Sequence, residues 1–136
     1  MNTYSVKCSG NVPGKRIDIS VINYTPGLRP LQKLVGGYIE SVRPDILVPG
    51  VQSWDAYDLI AWVDEEGKLK SDLSPSLFMW DPRDLKPYDV ISGPVVFEAV
   101  TESGESAGLT PDDVSTLVLA IMNVYRAEVV YDDRFH

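Results

Sequence analysis

The chain is poor in the residues from which most hydrolase and metal centres are built: one histidine, His136 at the last position, and one cysteine, Cys8. A lone terminal histidine argues against a histidine-based nucleophilic triad and against the usual zinc ligand sets. Cys8 has no histidine to activate it and its neighbours read as a strand, so a structural thiol is expected. A single cysteine cannot close an internal disulfide, which points to a reducing compartment and to the cytoplasm as the expected location. Basic residues are also scarce. There are 12 Lys+Arg against 20 Asp+Glu, a formal charge of −8, and the longest basic run is Lys15-Arg16. Nucleic-acid binding depends on neutralising phosphates, so no direct nucleic-acid partner is expected. Mimicry of nucleic acid would need carboxylates in a phosphate-like array, and the simpler reading is a charge that keeps a small domain soluble.

Long apolar runs are missing too. None approaches the roughly 20 residues of a spanning helix, and Met1 to Lys7 shows no basic stretch leading into an apolar one, so neither membrane insertion nor export is expected. No segment repeats at a period of about 20–50 residues and no low-complexity tract divides the chain. At 136 residues the chain has the size of one ordinary domain, large enough to bury a core without disulfide or metal. A single domain over residues 1–136 is expected, with no cofactor and no metal.

What is present is alternation and helical spacing. Ile17, Ile19 and Val21 alternate with polar residues, the period-2 mark of a half-buried strand, and Tyr4 to Cys8 supplies a partner for an N-terminal hairpin over 4–22. Leu28, Leu31, Leu34 and Val35 fall on one helical face, and Gly36-Gly37 stop that helix. Strands are predicted near 16–23, 38–43, 58–63 and 94–101. The stretch 44–57 reads as a connection with a short strand at Ile46-Leu47-Val48, Asp64 to Lys68 as a hairpin turn, and Lys68-Leu69-Lys70 as the start of a return strand. Ser74-Pro75 followed by apolar residues and closed by Pro82 predicts one helical turn. Thr110-Pro111-Asp112-Asp113 is the clearest local signal: a capping threonine, proline at the first helical position and acids in the first turn. Val114, Leu117, Val118, Ile121 and Tyr125 then form one stripe of a helix over about 110–126, and Asp132 to His136 read as a solvated tail. The predicted fold is α+β: a mainly antiparallel sheet of four or more strands with two helices packed on one face.

Three blocks occur in a recognisable order: Leu31 to Glu40, Asp64 to Lys70 and Asp89 to Val96. In them the chain resembles the domain-of-unknown-function family 3846, small proteins of phages and bacterial mobile elements, over about residues 16–117. The resemblance implies a mixed α+β domain encoded by a phage or mobile element, and no catalytic assignment. Members usually carry a Pro-Asn element soon after the second block. Here Ser74-Pro75-Ser76-Leu77 stands in its place, and the 44–57 connection reads as an insertion.

The candidate sites divide into polar and aromatic ones. Val35-Gly36-Gly37 ends a helix, whereas a phosphate loop places its glycines at a helix start. Asp64-Glu65-Glu66 lacks the spacing of a calcium loop and reads as a solvated turn. Asp81 with Asp84, and Asp112 with Asp113, sit in cap or turn sequence, which accounts for them without acid–base chemistry. The aromatic group is different, because Trp54, Tyr57, Phe78, Trp80 and Tyr88 lie on or beside segments that fit no strand of the sheet. Apolar residues on irregular segments are candidates for an exposed contact patch, although core packing would absorb others such as Trp62. The expected function is that of a non-enzymatic accessory protein binding a host protein, for example a defence component. The alternatives are a binder of small molecules such as a nucleotide signal, a carboxylate-based enzyme, and a homo-oligomer joined through the aromatic segments.

Overall fold

The three apolar residues that alternate in the first predicted strand, Ile17, Ile19 and Val21, are all buried, and they lie in a strand, β2 (Arg16–Asn23). The computed structural model describes residues 4–11, 16–23, 27–51, 58–70 and 73–132. β2 pairs antiparallel with β1 (Tyr4–Asn11) from Tyr4↔Asn23 to Asn11↔Arg16, the expected N-terminal hairpin. Next come α1 (Leu28–Val35), β3 (Ile39–Val42), the one-turn α2 (Pro44–Leu47) and β4 (Asp58–Asp64). They are followed by β5 (Pro75–Trp80), β6 (Pro87–Ser92), β7 (Val95–Val100), the two-residue β8 (Ser106–Ala107), α3 (Pro111–Met122) and β9 (Ala127–Asp132). The main sheet runs β3-β4-β7-β1-β2-β9 with β8 on β7, antiparallel throughout except for the parallel β2–β9 pair. β5 and β6 form a separate antiparallel hairpin. The α+β class and the mainly antiparallel sheet are as the sequence predicts.

The two long helices lie on opposite faces of this sheet, where one shared face was expected. β7 is the reason. Every residue from Val95 to Ala99 is buried, so this central strand is covered on both sides. Val95, Phe97 and Ala99 join a core with Val114, Leu117 and Ile121 of α3, while Val96 packs with Leu31, Leu34 and Val35 of α1. Side chains alternate across a strand, so consecutive buried residues need a layer on each side. The β5–β6 hairpin and α2 complete the α3 side through Leu77, Ile91 and Leu47.

Local chemistry explains the element ends. Gly36 closes α1 in the left-handed conformation (φ +92°), its N–H bonded to the Gln32 carbonyl at 2.8 Å. Thr110 Oγ1 accepts the Asp113 N–H at 3.2 Å and Asp113 Oδ2 accepts the Thr110 N–H at 3.4 Å, the reciprocal cap that starts α3.

Four expectations differ. The turn predicted at 74–82 is strand β5, because Leu77 to Trp80 are bulky residues that pair with β6, and Pro75 needs no N–H at a strand's first position. The short strand at 46–48 is instead the end of α2 and the residue after it, with Pro44 at the first helical position. Lys68 to Lys70 start no strand: Gly67–Leu69 form a 3₁₀ turn. α3 stops at Met122, and β9 follows, pairing with β2 from Ile17↔Ala127 to Ile22↔Asp132. Residues expected in the helix end and tail thus form the last strand of the sheet.

β1 and β5 approach closely at Gly10, where an added Cβ would sit 1.8 Å from the Pro75 carbonyl oxygen. A backbone oxygen cannot rotate aside, so Gly10→Ala forces the two strands apart. The expected loss is about 1–3 kcal/mol of stability, read by chemical denaturation. An unchanged midpoint and slope would show that β1 and β5 do not meet there.

Candidate functional site

The strongest aromatic grouping rests on the β5–β6 hairpin. β5 sends Leu77 into the core and leaves Phe78 43% exposed. Trp80 lies beside Phe78, edge to face with ring centroids 6.0 Å apart. In β6 the register steps from Met79↔Asp89 to Trp80↔Pro87, so Tyr88 is the extra residue of a bulge, and it is 61% exposed. The connecting loop is tied by Asp81, whose Oδ1 accepts N–H bonds from Arg83 (2.8 Å) and Asp84 (3.4 Å). That loop holds Leu85 at φ +52°, exposed. A branched side chain in the left-handed region is strained and has to be held there by its surroundings.

One hydroxyl fastens this face to the rest of the molecule. Tyr125 Oη accepts the Trp80 Nε1–H at 2.8 Å and the Phe78 N–H at 3.0 Å, and donates to the Leu47 carbonyl at 2.6 Å. A phenol has one proton to give, so these bonds use its donor and both lone pairs. The Tyr125 ring also stacks on Phe78, with centroids 6.3 Å apart and planes 18° apart. Burial pushes the Tyr125 phenol above its ordinary pKa, against the opposing pull of the two donors. Sequence reasoning placed Tyr125 on the stripe of α3. It lies three residues past the helix end, and the only signal of another role was its late place on that stripe.

The structure therefore brings together Phe78 and Trp80, with Tyr88 on the neighbouring strand. Trp54 and Tyr57 lie outside the described residues. Trp62 is half-buried on the α1 side of the sheet and donates its Nε1–H to Glu98 Oε1 at 3.0 Å, apart from the hairpin face. Cys8 is wholly buried, and burial pushes its thiol pKa far up, which disfavours the thiolate.

A second locus forms where β3, β4 and β6 come near one another. Asp64 ends β4 with its side chain almost fully buried, its Oδ2 2.5 Å from the Lys70 ammonium and its Oδ1 2.9 Å from the Glu66 N–H. Lys70 also reaches the Gly36 carbonyl at 3.3 Å, and Gly37 lies so near that a Cβ there would be 3.0 Å from both Asp64 oxygens. Burial alone would raise the Asp64 pKa. The Lys70 hydrogen bond and charge, with the Glu66 N–H, outweigh it and hold the carboxyl below its usual value. Beside this pair Lys68 binds Asp89, whose carboxyl that hydrogen bond also lowers, and a Cβ on Gly67 would lie 2.5 Å from the Ser92 carbonyl oxygen. Gly36-Gly37, Asp64 to Lys70 and Asp89 to Ser92 belong to the three blocks singled out in the sequence, and they meet here. An open hollow of about 310 Å³ beside them is lined by Gln32, Tyr38, Glu66 and Lys70.

A family model described as Domain of unknown function (DUF3846) matches residues 11–122. The chain belongs to that family. The DUF3846 match takes in this meeting point and the whole β5–β6 hairpin, and it stops before Tyr125 and β9. No curated protein and no solved structure matches the chain significantly. Among the described residues no three of His, Cys, Asp and Glu gather as a metal site, and no helix is long and apolar enough to cross a membrane.

Two predictions follow from these bonds. Tyr125→Phe keeps the ring and strands the Phe78 and Trp80 N–H groups, so about 1–3 kcal/mol of stability should be lost, with faster amide exchange at Phe78. Equal stability would show that the hydroxyl bonds contribute nothing. Because the folded-state pKa of Asp64 is depressed, its contribution is complete above its unfolded-state value of about 4 and is lost as pH falls through the lower folded value. Lys70→Met leaves a buried carboxylate without its ammonium and should cost about 3 kcal/mol at pH 7, with that loss shrinking below pH about 4 as the carboxyl protonates. A loss equal at both pH values would contradict the pairing.

Proposed function

We propose that this DUF3846 protein is a non-enzymatic binding protein, an accessory factor of a phage or mobile element that acts on a host protein in the bacterial cytoplasm. The observation that carries this reading is the β5–β6 hairpin, where Phe78 and Tyr88 on its strands and Leu85 in its connecting loop are exposed, and where Tyr125 fastens Phe78 and Trp80 of β5. Aromatic side chains held rigidly lose little entropy on contact, and they dominate the energetics of protein interfaces. The state of the carboxylates agrees. A general acid at neutral pH needs a carboxyl pushed up, whereas Asp64 and Asp89 are each paired with lysine and held down.

The test is capture from a bacterial host lysate by the tagged chain and by Phe78→Ala/Tyr88→Ala, read by mass spectrometry with a matched folding control. The parent chain is expected to enrich one host protein stoichiometrically. The double variant should retain less than about a tenth of it, since hot-spot truncations each cost about 1–2 kcal/mol or more. Equal capture by both chains would reject the hairpin face. A stable mass above 15.1 kDa by light scattering that falls in the variant would assign the face to self-association instead.

A further inference from the structure

β3 is an end strand of the main sheet, and among the described residues no strand pairs with its outer side. Which of its backbone groups have no strand partner among the described residues follows from the register. The Tyr38 carbonyl accepts the Glu65 N–H at 2.9 Å, so alternate residues Glu40 and Val42 turn their backbone groups toward β4. Ile39 and Ser41 then turn theirs outward. Along this edge, between β3 and the β5–β6 hairpin, runs a groove of about 210 Å³. Val42, Val63, Met79 and Ile91 contribute apolar surface to it, and Glu40 and Glu65 are its exposed acidic groups. The other charges in the groove are compensated: Asp64 by Lys70, and Lys68 by Asp89. The groove is smaller than the roughly 300 Å³ at which small-molecule pockets begin, and it suits single side chains entering in succession.

We infer that this groove takes an extended segment of a partner protein, added as a strand on the edge of β3, with apolar and basic side chains on its groove-facing side. The inference rests on the reading of the protein as a protein-binding module and names the form of the partner segment. The outward N–H and C=O groups of Ile39 and Ser41 supply the backbone bonds of strand addition, and alternate side chains of the added strand enter the groove. Its apolar residues meet Val42 and Met79. Its basic residues meet Glu40 and Glu65, whose charge is uncompensated within the groove and which sit in a molecule of net charge −8.

The probe is a fluorescein-labelled, end-blocked peptide, Lys-Thr-Val-Thr-Lys-Thr, which in extended form places both lysines and the valine on one face. Its counterpart carries glutamate for each lysine. Fluorescence anisotropy with the full chain should give saturable binding of the basic peptide, at least about tenfold tighter than the acidic one. Ser41→Pro, which removes an outward N–H and leaves the β4 ladder intact, should abolish it. Glu40→Lys/Glu65→Lys, at two exposed positions, should weaken it at least about tenfold and covers the case in which the proline variant fails to fold. Phe78→Ala/Tyr88→Ala should leave it unchanged, so a failed hairpin face and a failed groove are told apart. No saturable binding, equal binding of the two peptides, or undiminished binding by folded Ser41→Pro or by the charge-reversed chain would overturn the inference.

Discussion

A two-stranded hairpin on its own is marginal in water, and the face that β5 and β6 present depends on what holds them. Leu77 and Ile91 secure the inner side by burial, a force without direction. Orientation comes from the Tyr125 hydroxyl, which joins Leu47 at the end of α2, Phe78 and Trp80 in β5, and the segment leading from α3 into β9. The same atom satisfies a backbone N–H and a half-buried indole N–H of β5. Phe78 is therefore both exposed and fixed, the combination an interaction surface requires.

The sheet beneath has its own constraint. β7 is buried on both faces, so α1 and α3 must lie on opposite sides, and polar groups brought along with the strands need partners. Trp62 and Glu98 meet on the α1 side, and Asp64 is compensated by Lys70 and the Glu66 N–H. Burying a carboxylate is tolerable only with such bonds. The Asp64 pair fixes the turn after β4 against Gly36 and Gly37, and with it the wall of the groove beside β3. Both glycines have reasons: Gly36 supplies a left-handed helix end, and Gly37 leaves room for the ion pair.

Local signals in the sequence were reliable where one residue type has one physical use. The Thr110 cap, the Gly36 stop and the alternation through Ile17, Ile19 and Val21 all appear at their predicted positions. What was not legible depended on distant partners. β5 follows a proline and looks like a capped turn until β6 pairs with it, and β9 is parallel, so no turn residue announces it. Of the aromatic candidates, Phe78, Trp80 and Tyr88 lie on one hairpin, whereas Tyr125, which anchors them, was hidden because its spacing also fits a helix stripe. In the sequence Asp64-Glu65-Glu66 reads as a solvated turn and Lys70 as part of a return strand, yet the two residues pair with Asp64 buried: composition shows charge, and only the fold shows burial.

These features describe a small acidic protein of the DUF3846 family whose β5–β6 hairpin is fastened by Tyr125 and leaves Phe78 and Tyr88 exposed. The most direct measurement of that account is amide hydrogen exchange on the full chain, alone and in complex with the host protein that the proposed function expects it to capture. Slowed exchange across residues 75–92 in the complex, with α3 unchanged, is the predicted result. Protection confined to the exposed Leu119 and Met122 side of α3, with residues 75–92 exchanging as in the free chain, would contradict it.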